Sequence, residues 1–173
     1  LESLLFIDNP YSYGGGTIYG YVNYPDRVKV SLGTAWDDVS VKGEDIVKKV
    51  LEMKQKSINS FHYGPWVLYI PTDYETKMDE DYDVSGASMQ TIRERILKIS
   101  GINEVKVIDT LTANNVLLVQ MTRDVVRLVR GMGIQNVQWK SEGNMVTNYK
   151  VMTIQVPQIR SSSNGKTGII HAS

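Results

Sequence analysis

Five residues, Trp66-Val67-Leu68-Tyr69-Ile70, form an unbroken apolar run between chain breakers, with Gly64-Pro65 before it and Pro71 after it. The run is too short for a buried helix and long enough for a β-strand. A strand with one wet face alternates apolar and polar residues, whereas an unbroken run requires cover on both faces. This segment therefore belongs inside a sheet, and the rest of the chain has to supply a layer on either side.

One layer is written directly upstream. Ile46, Val50, Met53, Ser57, Ile58 and Phe61 recur every three or four residues, with Lys48, Lys49, Lys54 and Lys56 mostly elsewhere. This spacing predicts a helix within residues 43–63, stopped by Gly64-Pro65. Glu44 and Asp45 in its first turn and His62 near its end match the helix dipole. Thr72 or Asp73 caps a short helix through Lys77 and Met78, and Met89, Ile92, Ile96 and Ile99 mark a second long helix ended by Gly101.

Strands are predicted at 105–108 and 116–121 around a turn at 111–115. Residues 122–130 fit either a short capped helix or an outer strand. Residues 134–139, the turn Ser141-Glu142-Gly143-Asn144 and the run 145–159 read as antiparallel strands before a polar connection at 161–164. Near the start, residues 9–20 carry four glycines, a proline and Tyr11, Tyr13 and Tyr19, a loop composition. It leads into β-rich runs at 17–23 and 27–32, where Val28, Val30 and Leu32 alternate with Arg27, Lys29 and Ser31, predicting an extended, one-sided ribbon. Two or three helices on a mainly antiparallel sheet define an α+β fold.

At 173 residues, 42% of them hydrophobic and 22% charged, the chain is sized and composed as one globular body. Nineteen Lys and Arg balance nineteen Asp and Glu, so no net field draws it to nucleic acid or an anionic membrane. The absence of cysteine excludes disulfides, thiolate metal sites and thiol nucleophiles and mildly favours an intracellular origin. No apolar run reaches the roughly 20 residues of a membrane span, so a soluble protein is expected. Leu1 in place of Met suggests that the chain starts inside a longer product.

Motifs for catalysis are incomplete. Gly165-Lys166-Thr167 ends like a phosphate-binding loop, but Arg160 holds the position of its first glycine. Asp79, Asp81 and Asp83 copy the start of a calcium loop, with Val84 at the glycine position and Gln90 at the bidentate Glu position. The two histidines, His62 and His171, lie far apart in sequence, and no GxSxG elbow occurs. No cofactor or metal is expected. If residues 122–130 are helical, Arg123, Arg127 and Arg130 make a basic stripe without interleaved aromatics, which fits ion pairs better than base stacking. The tyrosines on the Gly-rich start suit a protein interface.

The order of elements and its wording resemble the major capsid proteins of tailed bacteriophages, whose fold is shared with encapsulin shells. Gly20-Tyr21-Val22-Asn23 is similar to the phrase that closes the extended E-loop of that family. Thr34-Ala35-Trp36-Asp37 with Gly43-Glu44-Asp45-Ile46 resembles the lead-in to its P-domain spine helix, and the segment from Tyr63 to Ile70 its first A-domain strand. Met121-Thr122-Arg123-Asp124-Val125-Val126, Val137-Gln138-Trp139 and Asn148-Tyr149-Lys150-Val151-Met152 also resemble coat proteins.

The resemblance implies an E-loop remnant at 1–32, a P-domain at 33–63 and 143–173, and an A-domain at 64–142. It implies a structural virion subunit that assembles with copies of itself, as pentamers and hexamers, into an icosahedral phage or prophage head. The expected surroundings are other phage head proteins, with no membrane and no sequence-specific nucleic acid; the expected location is the virion, after production in the host cytoplasm. The candidate contact residues are Tyr11, Tyr13 and Tyr19 on the ribbon, Asp79, Asp81, Asp83 and Ser85 in a loop at 79–88, and Thr112, Asn114 and Asn115 in the loop at 111–115. Two rivals stand beside this reading: an encapsulin-like nanocompartment shell, and an α+β enzyme or ligand-binding domain with no recognisable motif.

Overall fold

The computed structural model describes residues 2–6, 8–82 and 90–173. Its elements, in order, are α1 (Glu2–Phe6), β1 (Tyr11–Tyr13), β2 (Gly16–Ile18), β3 (Val28–Val30), α2 (Gly43–Asn59), β4 (Trp66–Pro71), a 3-10 turn (Thr72–Tyr74), α3 (Glu75–Met78), α4 (Ile92–Leu97), β5 (Ile102–Ile108), β6 (Val116–Gln120), β7 (Val126–Ser141), β8 (Val146–Ile159) and β9 (Ile169–Ala172). A five-stranded sheet of order β3-β9-β6-β4-β5 forms the centre, and β1-β2 and β7-β8 are separate two-stranded ribbons.

The apolar run is interior, as its composition requires: β4 lies between β6 and β5, and all six of its residues are buried. Its side chains divide between two cores. Trp66, Leu68 and Ile70 face a layer of α2 and α4 together with Trp36, Tyr74 and Met78. Val67 and Tyr69 face Phe6, Tyr21, Val22, Leu111 and Val125. The aromatic rings of this second core meet at 5.0 Å for Phe6 and Tyr69 and 5.3 Å for Phe6 and Tyr21. The period-two alternation of a strand thus assigns each residue to one core or the other.

The sheet is mixed rather than mainly antiparallel. β3 pairs with β9, and β4 with β5, in parallel, while β6 runs against both β9 and β4. Four strands therefore point one way and the central strand the other. Strand β9 was not anticipated. It comprises only four residues, one of them a histidine, yet all four are buried and it joins β3 to β6.

The long helix ends at Asn59, before Gly64-Pro65. Phe61 N donates to Ile58 O at 2.9 Å and His62 N to Ser57 O at 3.0 Å, with Phe61 at φ 65°, a Schellman cap. Ser57 Oγ, donating to His62 O and accepting from Trp66 Nε1, ties this cap to the start of β4. The second helix is short rather than long. Thr91 caps α4, its Oγ1 accepting from Glu94 N at 3.2 Å, and Ile99 reaches the core from a turn beyond the helix. Met89 lies outside the described residues.

The runs 17–23 and 27–32 do not form one ribbon. β2 ends at Ile18, and the chain then turns so that Tyr21 N donates to Leu5 O at 2.7 Å. A Cβ at Gly20 would lie 2.6 Å from Leu5 O, so the turn requires glycine. Val28, Val30 and Leu32 do alternate inward, but on the central sheet. Between Thr122 and Arg130 the chain makes one turn and enters β7, which settles the helix-or-strand alternative for a strand. Among the described residues no helix is long and apolar enough to cross a membrane.

Phe61 occupies a left-handed cap position that favours glycine, and its side chain is exposed. Phe61→Gly should therefore raise the stability of the isolated chain by about 1 kcal/mol in urea unfolding, because the Cβ clash is removed and little packing is lost.

Candidate functional site

The largest departure from an ordinary globular surface is the ribbon of β7 and β8. Glu142, Gly143 and Asn144 turn the chain with φ of 52°, 64° and 72°, and the two strands pair in antiparallel register from Ser141↔Val146 back to Val126↔Ile159. The fourteen residues of β8 give a length of about 45 Å at ~3.4 Å per residue. Among the described residues only its root is held by the body, where Val126 and Ile159 pack on the second core and Arg160 N donates to Val125 O at 2.9 Å.

Two irregularities, between Arg130 and Met132 and between Met132 and Gln135, each insert one extra residue in β7. They switch its parity twice. As a result Val129, Met132, Val137 and Trp139 share a face with Val146, Met152, Ile154 and Val156. The opposite face beyond the root is mostly polar, with Arg130, Gln138, Lys140, Thr147 and Gln155, although Tyr149 and Val151 also stand there. The apolar face is largely uncovered: Trp139 is 47% exposed and Ile154 55%. Sequence reasoning missed this face as a contact candidate, although the alternation of Met152, Ile154 and Val156 along β8 was readable.

At the root the apolar face meets the N-terminal ribbon. Ile18, Tyr19, Tyr24 and Pro25 lie across an open cleft of about 530 Å³ from Val129, Val156 and Pro157. Tyr19 is half-buried, edge-on to Tyr24 at 5.9 Å, while Tyr11 and Tyr13 on β1 are exposed.

The predicted tip loops lie at the other end, where β3, β4 and β5 finish and β6 begins. Asp79 is ion-paired with Arg93 at 3.0 Å, and Asp81 bridges to Thr91. Asp83 and Ser85 are outside the described residues. Thr112 Oγ1 donates to Asp8 Oδ2 at 2.9 Å. Asn114, at φ 62°, accepts from the Tyr74 hydroxyl at 2.8 Å. Asn115 Nδ2 donates to the carbonyls of Thr112 and Ala113. Part of the hydrogen-bonding capacity of these asparagines thus holds their own loop on the sheet.

Asn115 also closes a part-buried polar chain around the buried His171. Arg27 Nε donates to His171 Nδ1 at 3.1 Å, which leaves the imidazole proton on Nε2, 2.7 Å from Asn115 Oδ1. Burial, with Arg27 and Lys29 nearby, lowers the pKa of His171 to about 4. His62, whose pKa is also lowered by burial, meets Ser162 Oγ at 3.2 Å and ties the 161–164 connection to the end of α2. Among the described residues no group of three or more His, Cys, Asp or Glu could hold a metal ion.

These elements recur in known structures. The chain superposes on the capsid of the Myoviridae phage XM1 with a TM-score of 0.73 over 98% of its length at 10% identity. It superposes on the virus-like particle from Pyrococcus furiosus with a TM-score of 0.65 over 88% of its length at 20% identity. The fold is the α+β fold of tailed-phage major capsid proteins, as the sequence resemblance implied. Within it, residues 8–172 match a family of unknown function, DUF6260, and the chain belongs to that family. Comparison with curated proteins gives no match. The chain spans 58% of the length of each of the two structures.

Two measurements check the site. An isolated two-stranded ribbon is marginal in water, so β7 and β8 amides beyond the root should exchange at least about a hundredfold faster than those of β4 and β6 in the monomeric chain. Comparable protection would mean that the ribbon is stable without cover. For His171, the unfolded chain binds a proton near pH 6.5 and the folded chain only near 4. The stabilising contribution of the neutral imidazole is complete above pH 6.5 and lost as pH falls through that window, by up to about 3 kcal/mol. His171→Gln should flatten that part of the stability-against-pH curve relative to the native chain.

Proposed function

We propose that this chain is part of a major capsid subunit that self-assembles into an icosahedral phage or prophage head. The observation that carries the reading is the ribbon: two strands whose shared apolar face is left exposed by the described residues, in a fold that two shell proteins share. A surface of this kind marks a protein–protein contact. The role is structural rather than catalytic, the principal partners are copies of the chain, and the location is the virion. Other head proteins and production in a host cytoplasm follow from the same reading.

Within it, residues 1–32 are the E-loop remnant, 33–63 with 143–173 the P-domain and 64–142 the A-domain. The central sheet takes strands from all three stretches, so these names mark segments of one folded body. The ribbon is divided at its turn between the last two. Tyr11, Tyr13 and Tyr19, the acidic loop at Asp79, Asp81, Asp83 and Ser85, and the loop at Thr112, Asn114 and Asn115 remain the proposed contact residues, joined by the apolar ribbon face.

An encapsulin-like nanocompartment is the second reading, favoured by the higher identity, 20%, to the Pyrococcus furiosus particle. Electron microscopy of the intact gene product decides whether either shell reading stands. Regular hollow particles are the expected result, and a soluble monomer at all concentrations would refute both. Portal, protease and terminase genes beside the gene would indicate a phage head, and a captured cellular enzyme inside the particles a nanocompartment.

A further inference from the structure

Charge is balanced overall but not mixed. Residues 1–122 hold twelve Lys and Arg against seventeen Asp and Glu, whereas residues 123–173 hold seven against two. The ribbon carries Arg127, Arg130, Lys140 and Lys150, all exposed, with Glu142 at its turn. None of these cations enters an ion pair among the described residues; Arg127 Nε donates to the neutral Gln158 at 2.6 Å. At the opposite end of the sheet, segments 37–45 and 73–81 hold nine carboxylates against two lysines. They meet across an open cleft lined by Asp37, Lys42, Lys77, Glu80 and Asp81. Asp37, Asp73, Glu75 and Asp81 are exposed and unpaired among the described residues.

We infer that the ribbon of one copy docks on a second copy, apolar face inward and the two cations of that face, Arg127 and Lys150, toward that copy's acidic end. The inference rests on the shell reading and specifies one of its contacts. Arg127 and Lys150 lie on the apolar face, so two ribbons stacked face to face would oppose like charges across a seam that excludes water. The acidic end offers the opposite sign. The contact is then head-to-tail: each copy presents one donor and one acceptor surface, and the set is satisfied only when a ring closes. Nucleic acid is the poorer occupant, because the ribbon's exposed aromatics Trp139 and Tyr149 stand on opposite faces and form no stacking row.

The test uses the intact protein, with sedimentation velocity and electron microscopy as readouts. A ribbon variant, Arg127→Glu with Lys150→Glu on the docking face, and an acidic-end variant, Asp73→Lys with Glu75→Lys and Asp81→Lys, should each weaken self-association by at least about tenfold. Combining the two sets should restore it. Trp139→Cys in this cysteine-free chain should give no disulfide-linked dimers across paired ribbons. If the native protein assembles and the reversals change nothing, or the combined variant is not rescued, the head-to-tail contact is wrong while the shell reading stands. Efficient Trp139→Cys dimers would replace it with a face-to-face contact. Reversals that abolish retention on DNA but leave assembly intact would assign the ribbon to nucleic acid. A native protein that never associates removes the inference and the shell reading together.

Discussion

The two-sided burial of β4 and β6 is the constraint on which the rest depends. Leu68 and Leu118 point into one core while Val67, Leu117 and Val119 point into the other, and each of these residues is buried. A slip of one residue in the β4–β6 register would exchange the two sets. Because both cores are filled by large, differently shaped groups, with Trp36 stacked on Tyr74 on one side and Phe6 against Tyr69 on the other, neither could accept the exchange. The sheet is therefore fixed in register before any loop is considered.

That register also gives the molecule two unlike ends. With β6 reversed among four strands of one direction, the segments after β3, β4 and β5 gather at one end of the sheet. The root of the ribbon gathers at the other, where Met121 N donates to Pro65 O and Gln120 N to Gly168 O. The first end is tied down by polar contacts such as Tyr74 to Asn114 and the Arg27–His171–Asn115 chain. The second sends out the ribbon, which among the described residues has no comparable internal support. Preorganised loops at one pole and an uncovered ribbon at the other are what a subunit needs to meet neighbours in a fixed direction.

The fold class and most elements were legible because their signals are local. The apolar run, the three-and-four spacing before it and the Glu142-Gly143-Asn144 turn each determine a structure over a few residues. What stayed hidden depends on partners distant in sequence. β9 is a strand only because β3 and β6 flank it, and the short form of α4 follows from a Thr91 cap and a turn that delivers Ile99 without further helix. For the candidate contact residues, the side-chain types were legible but their internal bonding was not. Polar loop composition pointed to Asn114 and Asn115, yet internal bonds of both residues could be seen only once Tyr74 and His171 were placed beside them. The apolar ribbon face was masked for a similar reason, since two bulges shift its parity and a strict alternation read from β7 breaks at Gly131.

The ribbon links folding to association. Strands exposed on both faces lose conformational entropy without burying enough apolar area to offset it, so their order depends on a covering surface. Covering one face of a ribbon about 45 Å long would bury several large side chains, each contributing roughly 1.5–3 kcal/mol when fully removed from water. Part of that gain goes into ordering the ribbon, which keeps any single contact weak. Weak, directional contacts repeated around a ring suit a closed shell, because subunits joined in a wrong register can separate again before the structure closes. Under the proposed assembly, the uncovered ribbon is the portion of the structure that a neighbouring copy completes.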